Sequence, residues 1–124
     1  MKTKMLFMAL ALCAVLVSCS KDETDPLVGT WRCEGSGLLR YDEVVLKADK
    51  TGTWNFVFSN GEISWWNILS WTATSSSRVM MELRDQYGNQ ETYTFGYNLN
   101  NNELRLDYPS NFGLGSGSYL YIRR

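Results

Sequence analysis

The chain has 124 residues, of which 44% are hydrophobic and 20% are charged, and it carries a formal net charge of -1 without a single histidine. This length fits one domain, and the near-balance of basic and acidic residues, without a basic cluster, argues against a nucleic-acid partner. The lack of histidine excludes a Ser-His-Asp triad, a Cys-His pair and a His-rich metal site.

The amino-terminal segment has the layout of a secretory signal peptide. Lys2 and Lys4 precede an unbroken apolar run over residues 5–17, and Cys19 follows shortly after it. This run is too short to cross a bilayer comfortably as a permanent helix. The pattern therefore predicts that residues 1–18 are a cleaved signal peptide.

The tetrapeptide Leu16-Val17-Ser18-Cys19 resembles the lipobox of bacterial lipoproteins. The resemblance implies cleavage before Cys19 and acylation of its thiol, and several acyl chains on one cysteine anchor a protein permanently to a membrane. An ordinary exported protein with a chance cysteine at this position is the alternative.

Residues 19–26 are polar and predict a flexible tether. Within them, Lys21-Asp22-Glu23 is similar to the acidic export signal of Bacteroidetes surface lipoproteins. That similarity implies an outer-membrane lipoprotein displayed at the cell surface, whereas a plain linker of the same composition leaves periplasmic retention open.

Cys33 is the cysteine that remains once Cys13 has left with the signal and Cys19 has been acylated. Trp31 and Cys33 alternate with polar residues, which places the thiol on the apolar face of a strand. We therefore expect Cys33 to act as a small buried hydrophobe rather than to form an intermolecular disulfide.

Beyond the tether, apolar residues recur with a period of two rather than 3.6. Trp54, Phe56 and Phe58 alternate with other residues, and the segment around Tyr93 and Phe95 repeats the pattern. Eight strands are predicted, over residues 28–34, 41–48, 53–58, 63–74, 79–84, 93–99, 103–108 and 119–123. The turn segments between them are too short for a crossover helix, so neighbouring strands are predicted to pair antiparallel.

Eight sequential strands with one apolar face leave two exposed edges in an open sheet, and closure into a barrel removes both edges. The sequence thus predicts an all-β fold for residues 27–124, an eight-stranded antiparallel up-and-down barrel. A β-sandwich is the alternative, because periodicity does not distinguish two packed sheets from a flattened barrel.

The start of the first predicted strand, Gly29-Thr30-Trp31, resembles the Gly-x-Trp motif of lipocalins and the wider calycin group. In that family the tryptophan closes one end of the barrel, and an arginine near the last strand lies over its ring in a cation–π contact. The resemblance implies the same role for Trp31, with Arg123 or Arg124 over the ring. The predicted barrel as a whole also looks like the short lipocalin-like lipoproteins of Bacteroidetes.

The predicted interior is bulky, and an eight-stranded barrel is barely wide enough to be filled by its own side chains or to hold one small ligand. The residues predicted to point inward are Trp31, Val44, Leu46, Trp54, Phe56, Phe58, Trp65, Leu69, Trp71, Val79, Met81, Leu83, Tyr93, Phe95, Leu104, Leu106, Leu120 and Ile122. Because these side chains fill the interior, we expect any ligand site to be a shallow cup at the barrel mouth.

Four aromatic residues are the candidates for ligand binding at that mouth. Trp65 and Trp66 are adjacent, so in a regular strand one of them points outward and offers a platform for a sugar ring, a lipid or a protein. A β-bulge that buries both tryptophans is the alternative. Tyr97 extends the platform, and Phe112 lies in the glycine-rich loop of residues 109–118. This loop is predicted to be a flexible flap or a disordered hairpin tip, and a lid over the barrel mouth is the alternative.

The sequence shows no clustered carboxylates and no metal-ligand spacing, so we expect no enzymatic activity, no metal and no cofactor. Two function hypotheses remain. The first is a surface-tethered, lipocalin-like lipoprotein of the outer membrane that binds a small apolar or glycan ligand at the barrel mouth. The second is a ligand-free interaction or inhibitor module that presents its loops to another envelope protein.

Overall fold

The structure, a computed structural model, describes residues 25–112 and 115–124. Within these residues the chain forms strands and no helix. The strands are β1 (Gly29–Glu34), β2 (Leu39–Leu46), β3 (Gly52–Phe58), β4 (Ile63–Ser75), β5 (Arg78–Asp85), β6 (Gln90–Asn100), β7 (Glu103–Tyr108) and β8 (Gly117–Arg123). The predicted signal peptide, the lipidation site at Cys19 and residues 20–24 of the predicted tether lie outside the described residues.

Each strand pairs antiparallel with the next, and β8 returns to pair with β1, so the sheet closes into a barrel. The closing register matches Trp31 with Arg123 and Arg32 with Ile122. The predicted eight-stranded up-and-down barrel is therefore confirmed, and the β-sandwich alternative is wrong. Closure pairs the two strands that would be exposed edges in an open sheet.

The connections between strands lie at two opposite ends of the barrel. One end, here called the closed end, carries residues 25–28 and the β2–β3, β4–β5 and β6–β7 turns. The other, the open end, carries the β1–β2, β3–β4, β5–β6 and β7–β8 connections. Leu27 is buried at the closed end, where its carbonyl oxygen accepts a hydrogen bond from Nε1 of Trp31 at 3.0 Å. The chain that leads into β1 thus covers this end of the barrel.

Most of the predicted inward set fills the interior. The residues of that set found buried are Trp31, Val44, Leu46, Trp54, Phe56, Trp71, Val79, Met81, Leu83, Phe95, Leu104 and Leu106. Phe58 and Tyr93 are half-buried and pack against them, and Cys33 is buried as expected. The interior is therefore a packed aromatic and aliphatic core.

The alternation of inward-facing and outward-facing residues in β4 shifts partway along the strand. Trp66 and Ile68 lie on the inner face, whereas Trp65 is 42% exposed on the outer face. The register shifts just after Ile68, which marks a β-bulge, and beyond it Trp71 points inward. The prediction that Trp65 and Leu69 point inward is wrong, because it carried one alternation through the whole strand and a bulge reverses that alternation.

Strand β8 buries the opposite set from the one predicted. Tyr121 is fully buried, while Leu120 and Ile122, which were predicted to point inward, are 38% and 42% exposed. Residues 119–122 are apolar or aromatic in both alternations, so a period of two does not choose between them. The structure buries Tyr121, whose hydroxyl group finds an acceptor, Asp42, inside the barrel.

Candidate functional site

Asp42 on β2 is the one charged residue found buried in the described part of the chain, with 4% of its surface exposed. Its Oδ2 accepts hydrogen bonds from Nε1 of Trp54, at 2.9 Å, and from the hydroxyl of Tyr121. The Tyr121 hydroxyl is also hydrogen-bonded to the hydroxyl of Tyr108. These four side chains form a buried polar cluster that joins β2, β3, β7 and β8.

Burial dominates the electrostatics of this cluster. Removal from water raises the pKa of Asp42, and the hydrogen bonds from Tyr121 and Trp54 offset part of that increase. Burial also raises the pKa values of Tyr108 and Tyr121 above the ordinary tyrosine value, so both hydroxyls are neutral near neutral pH. The salt bridges among the described residues involve carboxylates outside the cluster. Asp42 is thus held by neutral donors and not by a cation.

A cavity of about 250 Å³ lies next to Asp42 and opens at the open end of the barrel. Its lining consists of Cys33, Glu34, Gly35, Ser36, Leu39, Asp42, Phe56, Tyr108 and Tyr119. Three of these residues are aromatic, and the rings of Tyr108 and Tyr119 pack at a tilt of 34° with centroids 4.4 Å apart. A cavity of roughly 150 Å³ holds benzene, and drug-sized ligands occupy about 300 to 1,000 Å³. This cavity therefore suits a ligand built around one or two rings.

Phe112, in the β7–β8 connection, inserts its ring into the barrel from the open end and is 3% exposed. Its backbone N–H donates to the carbonyl oxygen of Pro109 at 3.0 Å, which forms a turn that aims the ring inward. The ring centroid lies 4.9–5.6 Å from those of Trp54, Trp66, Tyr93, Phe95 and Tyr108. Phe112 is thus part of the core, and it packs on Tyr108, which lines the cavity.

Of the four residues predicted to bind a ligand, Trp66 and Phe112 meet inside the barrel with ring centroids 5.2 Å apart, whereas Trp65 and Tyr97 lie elsewhere. Trp65 lies on the outer face, and Trp66 lies inside, 5.2 Å from the ring of Phe56, so the bulge in β4 does not bury both tryptophans. Tyr97 lies near the closed end, where its hydroxyl donates to the carbonyl oxygen of Ser75 at 3.4 Å. Trp65, Trp66, Tyr97 and Phe112 are all absent from the cavity lining.

Cys33 and Phe56 were predicted to be buried, but no residue of the cavity lining was among the four ligand-binding candidates. One sequence signal nevertheless points to Asp42. It alternates with Val44 and Leu46, both of which belong to the predicted inward set. The same alternation places Asp42 on the inner face, and a carboxylate inside an apolar barrel needs partners. Tyr108 and Tyr121 lie far from Asp42 in the sequence, on β7 and β8. The sequence alone therefore does not show that they lie near it in the fold.

At the closed end, the residues of the Gly-x-Trp motif meet the last strand. The guanidinium carbon of Arg123 lies 4.2 Å from the ring centroid of Trp31, which is the contact implied by the lipocalin resemblance. Nη1 of Arg123 also donates to the carbonyl oxygen of Val28 at 3.0 Å. A Cβ atom at Gly29 would lie 2.6 Å from that Nη1, and the φ of Gly29 is +152°. Because Gly29 has no Cβ, the guanidinium group of Arg123 has room to lie against the backbone at this position.

Cys33 lies at the cavity, but its thiol is not suited to act as a nucleophile. Burial and the nearby carboxylates of Asp42 and Glu34 raise the pKa of Cys33 to about 11. The thiolate is the reactive form of cysteine, and at neutral pH this side chain stays protonated. Its sulfur atom lies 3.7 Å from the carbonyl oxygen of Glu34.

Within the described residues, no group of three or more Cys, Asp or Glu side chains is arranged to hold a metal ion. Nor does the described part of the chain include a helix of the length and apolarity needed to cross a membrane. The chain matches no protein-family model, and no curated protein or solved structure matches it. The resemblance to lipocalins therefore rests on Gly29, Trp31, Arg123 and the eight-stranded barrel.

Proposed function

We infer that this protein is a non-enzymatic binding protein that takes a small apolar ligand with a ring through the open end of the barrel. The observation that carries this proposal is the cavity of about 250 Å³ next to Asp42, which combines aromatic walls with one buried hydrogen-bond acceptor. Small-ligand sites have this composition, with an apolar lining and a few polar groups that fix orientation.

The lining favours an apolar ligand over a glycan. A sugar ring carries hydroxyl groups around its edge, and each one that is buried needs a hydrogen-bond partner. The polar side chains that the cavity offers are Glu34, Ser36, Asp42 and the hydroxyls of Tyr108 and Tyr119, and the remaining lining is apolar or backbone. Tyr108 already bonds to Tyr121, so few partners remain for the several hydroxyl groups of a sugar.

The proposed location is the outer surface of an outer membrane, with the lipid anchor on Cys19. Asp25 lies at the closed end, where its Oδ2 forms a salt bridge with Nζ of Lys50 at 3.0 Å. The anchor would therefore join the barrel at the end opposite the cavity. In this arrangement the tether leaves the open end accessible to ligands from the medium.

A second candidate is the ligand-free interaction module, and the apolar rim of the open end favours it. Leu38 in the β1–β2 connection is 82% exposed, Tyr87 in the β5–β6 turn is 81% exposed, and Ile63 at the start of β4 is 57% exposed. Exposed apolar side chains mark a site of contact with a partner where they form a contiguous patch. In this alternative the cavity stays empty and the rim binds a protein.

Ligand binding is tested with the full chain and a panel of one- and two-ring compounds, followed by calorimetry and by the fluorescence of the tryptophans. The matched variants are Tyr119→Ala and Tyr87→Ala, since both tyrosines lie at the open end but only Tyr119 lines the cavity. We expect Tyr119→Ala to weaken binding about tenfold or more and Tyr87→Ala to leave it unchanged. If the whole panel fails to bind, the ligand-binding proposal is wrong and the interaction module is favoured.

The location is tested separately by metabolic labelling with an alkyne-tagged fatty acid and by protease treatment of intact cells. We expect the chain to be labelled and digested from outside, and Cys19→Ser to lose the label. A labelled chain that resists protease until the outer membrane is opened would place the barrel in the periplasm. Absence of label on the unmodified chain would overturn the lipoprotein proposal and leave the ligand proposal standing.

A further inference from the structure

The cavity beside Asp42 is acidic. Asp42 and Glu34 are the charged side chains in its lining, and both are carboxylates. Arg32, Arg105 and Arg124 line an adjoining groove, and Arg32 is paired with Glu43 at 3.1 Å. This groove shares Cys33, Glu34 and Tyr119 with the cavity, but the arginines themselves do not line the cavity. No described side chain supplies a positive charge inside the cavity. A carboxylate buried in this way is costly unless it is paired.

The carboxylate of Asp42 has room for another donor. The hydrogen bonds from Trp54 and Tyr121 both go to Oδ2, and no described side chain donates to Oδ1. Asp42 itself lines the cavity, which places this residue next to a molecule bound there. The arrangement fixes the orientation of the carboxylate before a ligand arrives, which lowers the cost of binding.

The same cavity also offers aromatic rings to a bound donor. Phe56, Tyr108 and Tyr119 line the cavity together with Asp42. The faces of aromatic rings attract cations, and the attraction is stronger where water is excluded. A carboxylate and three rings around one small cavity therefore match a ligand with a cationic nitrogen at one end and an apolar ring at the other.

We propose that the cavity selects small aryl-alkyl amines in their ammonium form, with an N–H of the ligand donated to Asp42 and the ligand ring packed between Phe56 and Tyr119. This proposal rests on the proposed function and names its ligand class. Glu34, which is exposed where the cavity opens, adds negative charge at the entrance and attracts cations toward it.

The pH dependence follows from the groups that face Asp42. These are Cys33 and Glu34 on β1, Tyr108 on β7, and Tyr119 and Tyr121 on β8. Burial raises the pKa of Asp42, so its carboxylate is lost on acidification at a higher pH than that of an exposed aspartate. Amine binding should therefore weaken on acidification while the amine itself stays charged, and the binding of a neutral analogue should change little.

The experiment compares amines with alcohols of the same shape. The full chain is titrated by calorimetry, near neutral pH, with 2-phenylethylamine against 2-phenylethanol and with the naphthyl homologues of both. We expect the amines to bind about tenfold or more tightly than the alcohols, because a hydrogen bond to a charged group is stronger than one between neutral groups. Asp42→Asn should lose this preference and keep alcohol binding. The matched control is Glu103→Gln, an exposed carboxylate at the closed end.

The outcomes separate this proposal from the proposed function. If amines and alcohols bind the unmodified chain equally, the amine proposal is wrong and small-ligand binding stands. If neither class binds, both are wrong. Should Asp42→Asn fail to fold, the pH titration of the unmodified chain decides, because an amine affinity that does not fall on acidification overturns the role of Asp42.

Discussion

The hydroxyl of Tyr121 donates a hydrogen bond to the carboxylate of Asp42 inside the barrel, and this contact joins β8 to β2 across 79 positions of the chain. It lies beside the β1–β8 strand pair, which closes the barrel with few matched residues. The register matches two residue pairs between β1 and β8, whereas it matches six between β7 and β8. The buried hydrogen bond therefore supplements a short closing ladder from within the barrel.

Removal of this hydroxyl tests that role. Tyr121→Phe keeps the ring and leaves one donor fewer for Asp42, so we expect a loss of about 1–3 kcal/mol in the free energy of unfolding. Tyr119→Phe is the control, because its ring lies on the same strand and is 37% exposed. Urea denaturation measures both. Equal stability of the two variants would show that the Tyr121 hydroxyl does not contribute to closure.

The titration of Asp42 predicts a pH dependence of stability with a definite sign. Burial raises the pKa of Asp42 in the folded chain above its unfolded value. The folded state therefore holds this proton more tightly, and the stabilisation is complete below the unfolded pKa and lost as the pH rises through the folded pKa. Asp42→Asn cannot titrate, so its stability relative to the unmodified chain should improve between acid and neutral pH.

Comparing Asp42→Asn with the unmodified chain separates the effect of Asp42 from that of carboxylates whose pKa values are lowered by folding. Hydrogen bonds within turns lower the pKa values of Asp49 and Asp85, and both variants keep those residues. Urea denaturation across the acid-to-neutral range gives the difference directly. A difference that stays constant with pH would contradict the raised pKa of Asp42.

Arg123 and Trp31 join the last strand to the first at the closed end. Arg123→Ala removes the cation–π contact and the hydrogen bond to Val28, and we expect it to lower the free energy of unfolding by about 2 kcal/mol. Arg124→Ala is the control, since Arg124 donates to the carbonyl oxygen of Thr30 through its backbone N–H, which the substitution keeps. Thermal and chemical denaturation compare them. Equal losses in the two variants would contradict a specific role for the Arg123 side chain.

The sequence predicted the barrel because one alternation runs through most strands, as in β3, where Trp54 and Phe56 are both buried. The sequence did not predict the inward-facing residues correctly where a strand is compatible with either alternation. In β4 a bulge reverses the alternation after Ile68, and in β8 both alternations are apolar. The cavity was missed for another reason: it depends on which distant strands lie opposite each other, and Asp42 meets Tyr121 only once the barrel has closed.

Adjacent tryptophans in β4 offer a matched test of the observed register. Trp66 packs on the rings of Trp54 and Phe56, at centroid distances of 5.7 and 5.2 Å, whereas Trp65 lies on the outer face. Trp66→Ala should cost about 3 kcal/mol or more, and Trp65→Ala less than about 1 kcal/mol. Chemical denaturation ranks the two. A larger loss for Trp65→Ala would place the opposite face of β4 inside the barrel.

Phe112 decides how much space the barrel can offer to a ligand. Its ring contacts five other aromatic rings, so Phe112→Ala should lower the free energy of unfolding by about 3 kcal/mol. The same change leaves an aromatic-lined space next to the Asp42 cavity, and two-ring ligands should bind more tightly to the variant than to the unmodified chain. Denaturation and calorimetric titration measure the two effects, with Tyr87→Ala at the exposed rim as the control. A variant that loses stability without gaining affinity would mean that the open end collapses onto the space left by the ring and that Phe112 supports the core alone.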